Sequence, residues 1–481
     1  MKLINDIKQR IKKIPKPLIS SMIYMLVVFF QSGVNLITTP IFSRMLTTEE
    51  FGITSTYQSW YNVIGIFITL NLYAGVYNNA LIDYEKEKEK VTSSFLSISI
   101  TITIIAFIIY NFFRQQICTL LGLNEWLVNF MFLNFLTYPA WGLFLAQQKF
   151  DYKYVKPLIF TVITFILNPI IGIIGIKLFP NNKAVAKVIT SGLPTVIVNL
   201  GLLIYIMKKG KCFFNKNYWK YALTFNIPLI PHYLSNVILS QSDRIMIQKM
   251  IGFSEAGIYS VSYNLSQVMQ GVYTGINAAL IPFTYKAMKK NEFKKIGQYS
   301  NYLLLFIASV SILLAICAPE IIKILASEEY YDAVWVIPPI VLGLYFCFLT
   351  SLFGNIEFYY KKNIFVTLGT TSAAILNIIL NYIFIPKFGF IAAGYTTAVG
   401  YIFLAIAHYI FMNKIQKEKI YDIKFILKLS LAVTLIMFFV ITIYNYWILR
   451  YSIIAIIILI ILFNYKKIKN LLKKTSEEIR D

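Results

Sequence analysis

Long apolar stretches, broken at short intervals by polar and basic segments, run through the whole of this 481-residue chain. They are continuous rather than alternating, so they predict helices and not strands. The stretches near 18–41, 53–76, 93–113, 127–146, 157–178, 186–207, 222–241, 257–280, 298–318, 333–356, 364–385, 391–411, 425–445 and 451–465 mostly approach the roughly 20 residues needed to cross a hydrocarbon layer about 30 Å thick. In lipid the backbone must satisfy its own hydrogen bonds, which only helices and closed barrels achieve. The expected fold class is an all-α polytopic membrane protein with about 14 transmembrane helices. The last two are the least regular, since Lys428 sits inside the thirteenth and the fourteenth is short.

One segment of this pattern occurs twice, 205 positions apart: Arg44 to Ser55 reads RMLTTEEFGITS and Lys249 to Ser260 reads KMIGFSEAGIYS. Five of the twelve positions are identical, among them Glu50/Glu255 and Gly52/Gly257. Each copy follows one apolar stretch and opens the next. The repeat unit is therefore a bundle of membrane helices, and parallel duplication of this kind builds two lobes around one substrate path in many transporters. The expected organisation is a basic N-terminal segment 1–17, a first lobe 18–207, a linker 208–221, a second lobe 222–412, two further helices within 413–465 and a basic tail 466–481.

Composition agrees: 58% of residues are hydrophobic and only 14% charged. The net charge of +23 is spread through short loops between apolar spans, so it reads as a topology signal and as contacts to anionic lipid headgroups, not as a nucleic-acid surface. With the N-terminus inside the cell, the inner segments hold 35 of the 45 lysines and arginines and the outer segments 10. That asymmetry predicts a multi-pass protein with both termini cytoplasmic. The first apolar run is too long for a cleaved signal and reads as a retained helix. Cys118, Cys212, Cys317 and Cys347 are dispersed and suggest neither a disulfide framework nor a metal site. The run Asp83 to Lys90, alternating Glu and Lys, reads as a solvated extension of the second helix.

Candidate chemistry is sparse. The two histidines, His232 and His408, are far apart, no paired carboxylates or P-loop stand out, and the loops are too short for a catalytic domain. No catalytic residue, cofactor or metal is expected. Asparagines and glutamines inside the spans, such as Asn35, Asn71, Asn168, Asn377 and Asn381, read mostly as interhelical hydrogen bonds, with a minority lining a wet cavity suited to hydroxyl-rich sugars. Charge at membrane depth is costly, which singles out Arg44, Asp243, Arg244, Lys249, Glu357 and Lys428, with His232 as a proton-responsive group. Arg44, Asp243, Arg244, Lys249, Glu357 and His232 are the substrate or coupling candidates. Glu50 and Glu255, just before the glycines that open the next helices, suit capping roles.

The stretch Asp243, Arg244, Ile245, Met246, Ile247 through Gly252, Gly257, Tyr259 and Tyr263, with its weaker copy around Arg44, Glu50, Phe51 and Gly52, resembles the Wzx-type polysaccharide-biosynthesis flippases of the multidrug/oligosaccharidyl-lipid/polysaccharide (MOP) exporter superfamily. The resemblance extends over the chain in length, span number and lobe spacing. It implies a V-shaped pair of six-helix lobes plus two C-terminal helices in a bacterial cytoplasmic membrane. It also implies transport by alternating access of an undecaprenyl-diphosphate-linked oligosaccharide for surface polysaccharide such as O-antigen or capsule, coupled to a proton or sodium gradient. The implied partners are that lipid-linked substrate, membrane lipids, and the polymerase and glycosyltransferases of the same pathway. Two rivals are a drug or small-molecule cation antiporter of the same superfamily, which would use a buried helix carboxylate such as Glu357, and a membrane-embedded glycosyltransferase or polymerase, which the short loops disfavour.

Overall fold

The computed structural model describes residues 16–463, and among them every regular element is helical. The expected basic N-terminal segment, apart from Lys16 and Pro17, and the basic tail lie outside the described residues. A helix covers most of each apolar stretch, and among the described residues nine helical segments are long and apolar enough to cross a membrane by length and composition. The chain is thus a multi-pass membrane protein. The expected count of about fourteen is larger than these nine, and the helix at the last expected position, Trp447–Phe463, runs to the last described residue.

The chain divides into two compact units, residues 1–260 and 261–481. The first contains α1 (Lys16–Met45), α2 (Thr48–Thr69), α3 (Val76–Asp83), α4 (Lys88–Phe112), α5 (Arg114–Leu121), α6 (Glu125–Phe150), α7 (Val155–Leu178), α8 (Lys183–Gly210), α9 (Lys216–Asn226) and α10 (Ile230–Met250), and ends with the first residues of α11 (Phe253–Lys289). One apolar core joins Tyr77 of α3, Phe95 of α4, Leu143 of α6, Ile206 of α8 and Ala222 of α9; a second joins Tyr57 of α2, Tyr110 of α4, Phe135 of α6 and Val196 of α8. Ile104, Ile108, Ile163 and Ile170 are left exposed. Lipid tails are as apolar as these side chains, so their exposure costs nothing and packing must come from close contact and hydrogen bonds.

Polar groups fasten the segment after α8. Ser93 on α4 donates to Cys212 O at 3.0 Å, Tyr218 donates to Glu87 at 2.5 Å, Tyr221 donates to Asp83 at 2.5 Å, and Lys209 pairs with Glu89 at 2.6 Å. The run Asp83 to Lys90 faces solvent as expected, with Asp83, Glu85, Lys86, Glu87 and Lys90 exposed, but it is not an extension of the second helix. The run closes α3, passes through one turn of 3-10 helix and opens α4, and its carboxylates hold the segment around α9. Alternating charge fixed its polarity and carried no information about those distant partners.

The second unit contains the rest of α11 with α12 (Phe293–Ile316), α13 (Ala318–Leu325), α14 (Ile337–Tyr359), α15 (Asn363–Phe388), α16 (Ile391–Ile415), α17 (Ile423–Thr442) and α18 (Trp447–Phe463). At its centre is α14, buried on all sides and packed by α12, α16 and α17. Between α15 and α16 a buried ladder links Asn381 to Asn377 (3.3 Å), Asn377 to Thr397 (3.2 Å) and Thr396 to Asn381. Asn377 and Asn381 are thus the interhelical hydrogen-bonding groups that their place in apolar spans suggested. Near α18, the buried Arg450 donates to Glu320 of α13 at 2.6 Å and to Ile316 O at 3.2 Å, tying the last helix to the unit. Removing Arg450 leaves the partly exposed Glu320 carboxylate and Ile316 O without their partner. Arg450→Ala is expected to lower the unfolding midpoint of the purified protein, with a cost of about 1 to 3 kcal/mol; a midpoint equal to that of the unsubstituted chain would deny the pair this anchoring role.

Candidate functional site

The repeated segment builds its own corner within the first unit. At its first copy α1 ends at Met45, and Thr47 caps α2: the Thr47 hydroxyl accepts from Glu50 N at 3.2 Å and Thr47 N donates to Glu50 Oε2 at 2.9 Å, a reciprocal capping box. Glu50 thus takes the capping role its position suggested. At the second copy α10 ends at Met250 and α11 starts at Phe253, with Glu255 in its first turn.

The two helix starts then touch through their backbones. A Cβ placed on Gly52 would lie 1.7 Å from Phe253 O, and one on Gly257 would lie 2.1 Å from Thr48 O. Thr48 and Phe253 are equivalent positions of the repeat, as are Gly52 and Gly257, so the contact is reciprocal in the manner of a twofold-symmetric interface. The Thr48 and Ser254 hydroxyls close it with a 2.7 Å hydrogen bond. Only glycine permits this approach at either position. That explains why glycine stands in both copies.

Four of the six candidate residues surround this corner. The Asp243 side chain is buried on α10 and accepts a 2.5 Å hydrogen bond from Tyr259 of α11. Arg244, also buried, donates to Gln241 Oε1 at 2.7 Å, and Ser59 of α2 donates to the same oxygen at 3.2 Å. These two side chains therefore brace α10 against α11 and α2. The other two are exposed. Arg44 ends α1 with its guanidinium on Pro40 O at 3.3 Å, where a cation complements the helix C-terminus. Lys249, at the equivalent position, holds its ammonium 5.4 Å from the centre of the Trp60 ring and borders an open cavity of about 560 Å³ with Gln116, Thr119 and Gln248.

His232 is not part of this group. It lies in the first turn of α10, 3.3 Å from Asn236 Nδ2, about 16 Å along the helix from Asp243 at 1.5 Å per residue. Glu357 belongs to the second unit, near the end of α14, where its Oε1 lies 2.8 Å from Nδ1 of His408 on α16. Both side chains are buried, at 0% and 2% exposure. Sequence reasoning named Glu357 and passed over its partner, because the two stand 51 positions apart and no motif links them.

A third group was not singled out at all. Tyr61 of α2 stacks on Phe135 of α6 at 5.0 Å and meets Tyr138 edge-on at 6.3 Å, and Tyr73 meets Tyr138 at 5.9 Å. The three tyrosines are only partly buried, and Asn134 lies one turn before Tyr138. Aromatic faces with hydroxyl and amide groups beside them match the alternating apolar and polar surface of a sugar ring. The signal available in the sequence was the 16% aromatic content, which does not say which rings converge.

Comparison with known proteins accords with this geometry. A family model described as "Polysaccharide biosynthesis protein" matches residues 19–288, more than half of the chain, and a model described as MatE matches residues 228–383. An uncharacterized membrane protein of Methanocaldococcus jannaschii is 25% identical over 232 residues, covering 47% of this chain and 45% of that protein. The succinoglycan biosynthesis transport protein ExoT of Rhizobium meliloti is 24% identical over 271 residues, covering 54% of this chain and 52% of the other. These matches span about half the length of the two curated relatives. Among solved structures, the lipid II flippase MurJ in an inward closed conformation aligns over 93% of this chain and 100% of its own, with TM-score 0.69 and 16% identity. An inward-facing multidrug resistance MATE transporter of the MOP superfamily aligns over 81% and 97% respectively, with TM-score 0.64 and 13% identity. The fold is that of the MOP superfamily.

The corner geometry makes its own demand. Gly257→Ala forces Thr48 O and the new methyl apart at a cost of about 1 to 3 kcal/mol. In a Thr48→Cys/Ser254→Cys background, oxidation is expected to form the disulfide readily, and adding Gly257→Ala is expected to lower its yield while the protein still elutes as one species. Equal yields with and without the extra methyl would mean that the glycine contact does not hold the corner.

Proposed function

The chain belongs to the family of polysaccharide biosynthesis proteins, and from that premise we propose that it carries a lipid-linked oligosaccharide, built on undecaprenyl diphosphate, from the cytoplasmic to the outer leaflet by alternating access. The observation that carries this reading is the reciprocal corner. Two copies of one sequence meet through glycines over a small contact, and a small self-complementary contact is one that can be made and broken as a whole. The sugar head cannot cross hydrocarbon unaided, since each buried hydroxyl without a partner costs several kcal/mol, so a polar path must replace water while the lipid tail stays in the bilayer.

Other features support the same reading. The tyrosines around Tyr138 offer sugar-compatible faces, and Lys249 and Arg44 are exposed cations on the outer side with which the diphosphate can pair as it reaches the outer leaflet. The two helix bundles of the sequence repeat, residues 18–207 and 222–412, would act as the moving lobes, with 413–465 appended. The charge distribution supports an orientation with both termini inside the cell; a bacterial cytoplasmic membrane as the site, and O-antigen or capsule repeat units as the cargo, complete the proposal. The MatE match over residues 228–383 favours a second reading, export of a small organic molecule by cation antiport.

Sidedness separates the two. Vesicles holding the purified protein and a labelled lipid-linked oligosaccharide are expected to expose the label to an outside probe faster than empty vesicles, and the oxidised Thr48→Cys/Ser254→Cys protein is expected to lose that acceleration until reduced. Rates equal to those of empty vesicles, together with uptake of organic cations, would replace the flippase reading by the antiporter.

A further inference from the structure

We propose that Tyr73, Tyr138 and Tyr61 form a stacking track in the first unit, and that the sugars it takes are uncharged. The inference rests on the transport reading and adds the class of sugar and the residues that meet it.

The track begins where α2 breaks. Leu70 and Asn71 both hold positive φ, 52° and 50°, so the helix stops at Thr69 and the chain runs through a turn to Gly75 before α3 opens. In lipid such a break is tolerated only where protein or a wet cavity surrounds it. Here Asn71 N donates to the Thr69 hydroxyl at 3.2 Å, and the buried Asn226 amide donates to Leu70 O. The turn delivers Tyr73 to α6, where Gly142 makes room for it: a Cβ there would lie 2.5 Å from the Tyr73 ring.

From the break the rings follow α2 into the span. Tyr73 meets Tyr138 at 5.9 Å, Tyr138 meets Tyr61 at 6.3 Å, and Tyr61 meets the buried Tyr57 at 6.4 Å. Tyr61 lies about 12 Å along the helix from Thr69 at 1.5 Å per residue. A tyrosine that anchors a helix stands at headgroup level with its hydroxyl in the interface. These three instead lean on one another from the break inward, and each keeps part of its surface accessible. A sugar offers C–H faces that stack on such rings and hydroxyls that pair with phenol and amide groups. Successive sugars can therefore pass from ring to ring without losing every contact at once.

Charge is what the track lacks. Residues 18–43, 56–82, 91–113, 126–148, 157–176, 188–207 and 221–242, which hold the apolar stretches of this unit, contain no aspartate, glutamate, lysine or arginine. The one histidine among them, His232, lies against Asn236, while Asp243 and Arg244 beyond are engaged at the corner. The carboxylate of a uronic acid would meet the negative faces of the rings with no cation beside it, at a depth where charge is costly. A neutral hexose or N-acetylhexosamine brings only hydroxyl and amide groups, which tyrosine and asparagine can satisfy. The diphosphate sits at the lipid end of the head and is not assigned to the rings.

Saturation-transfer NMR on the full chain in nanodiscs reads the track, with the methyl glycosides of glucose, N-acetylglucosamine and glucuronic acid as probes. The two neutral glycosides are expected to bind, and the glucuronide to bind about threefold or more weakly. Tyr138→Leu is expected to weaken the neutral probes by about threefold or more, while Tyr138→Phe, which keeps the ring, holds them. Equal binding of neutral and acidic probes overturns the charge selection; equal binding by Tyr138→Leu and the unsubstituted protein, or no binding at all, overturns the track. A photoreactive neutral glycoside needs no substitution. It is expected to label the segments 57–75 and 134–142, and labelling confined to other segments overturns the proposal. Binding on the track in a protein that fails to accelerate leaflet exchange keeps the track and rejects the flippase reading, whereas normal exchange with an unlabelled track rejects the track alone.

Discussion

The structure turns on a backbone contact at the paired helix corner: Gly52 on Phe253 O and Gly257 on Thr48 O. In a membrane, helices gain nothing by hiding apolar side chains from each other, since lipid solvates them as well as protein does. Association must come from close approach and from polar groups that find partners. The corner supplies both, with glycines letting carbonyls approach and the Thr48–Ser254 hydrogen bond at their side. Asp243 with Tyr259, and Arg244 with Gln241 and Ser59, then brace the helices that deliver these glycines.

The same constraint orders the second unit differently. There the polar groups are spent inside a well-packed bundle around α14: the Asn377–Asn381 ladder, Arg450 on Glu320, Tyr421 on a backbone carbonyl. Each reads as fastening, and Glu357 Oε1 against His408 Nδ1 is one more such pair.

Much of the fold was legible in the sequence because lipid simplifies the code. Apolar run length marks helices, and a helix stands over every stretch that was read as one. The repeat pointed to the corner, and Glu50 to its cap. What the sequence could not convey was pairing across distance. The solvent-facing carboxylates of Asp83, Glu87 and Glu89 gave no sign of their partners Tyr221, Tyr218 and Lys209, which lie more than a hundred positions away. His408 looked incidental for the same reason. The tyrosines 61, 73 and 138 converge from separate segments, and nothing in the order of residues says that rings on α2, on α6 and in the turn after α2 will face one another. Polar residues dilute some stretches below the apolarity of the nine clear crossings, as in α10, which carries His232, Asn236, Gln241, Asp243 and Arg244.

The central claim is that the corner parts and re-forms during transport. Spin labels at positions 44 and 249, equivalent and exposed sites at the ends of α1 and α10, report it directly by pulsed electron spin resonance. With the protein in nanodiscs, one short distance is expected without substrate and a second, longer population when lipid-linked oligosaccharide is added. A single distance that substrate and pH leave unchanged would show the corner to be a fixed joint and would contradict the account.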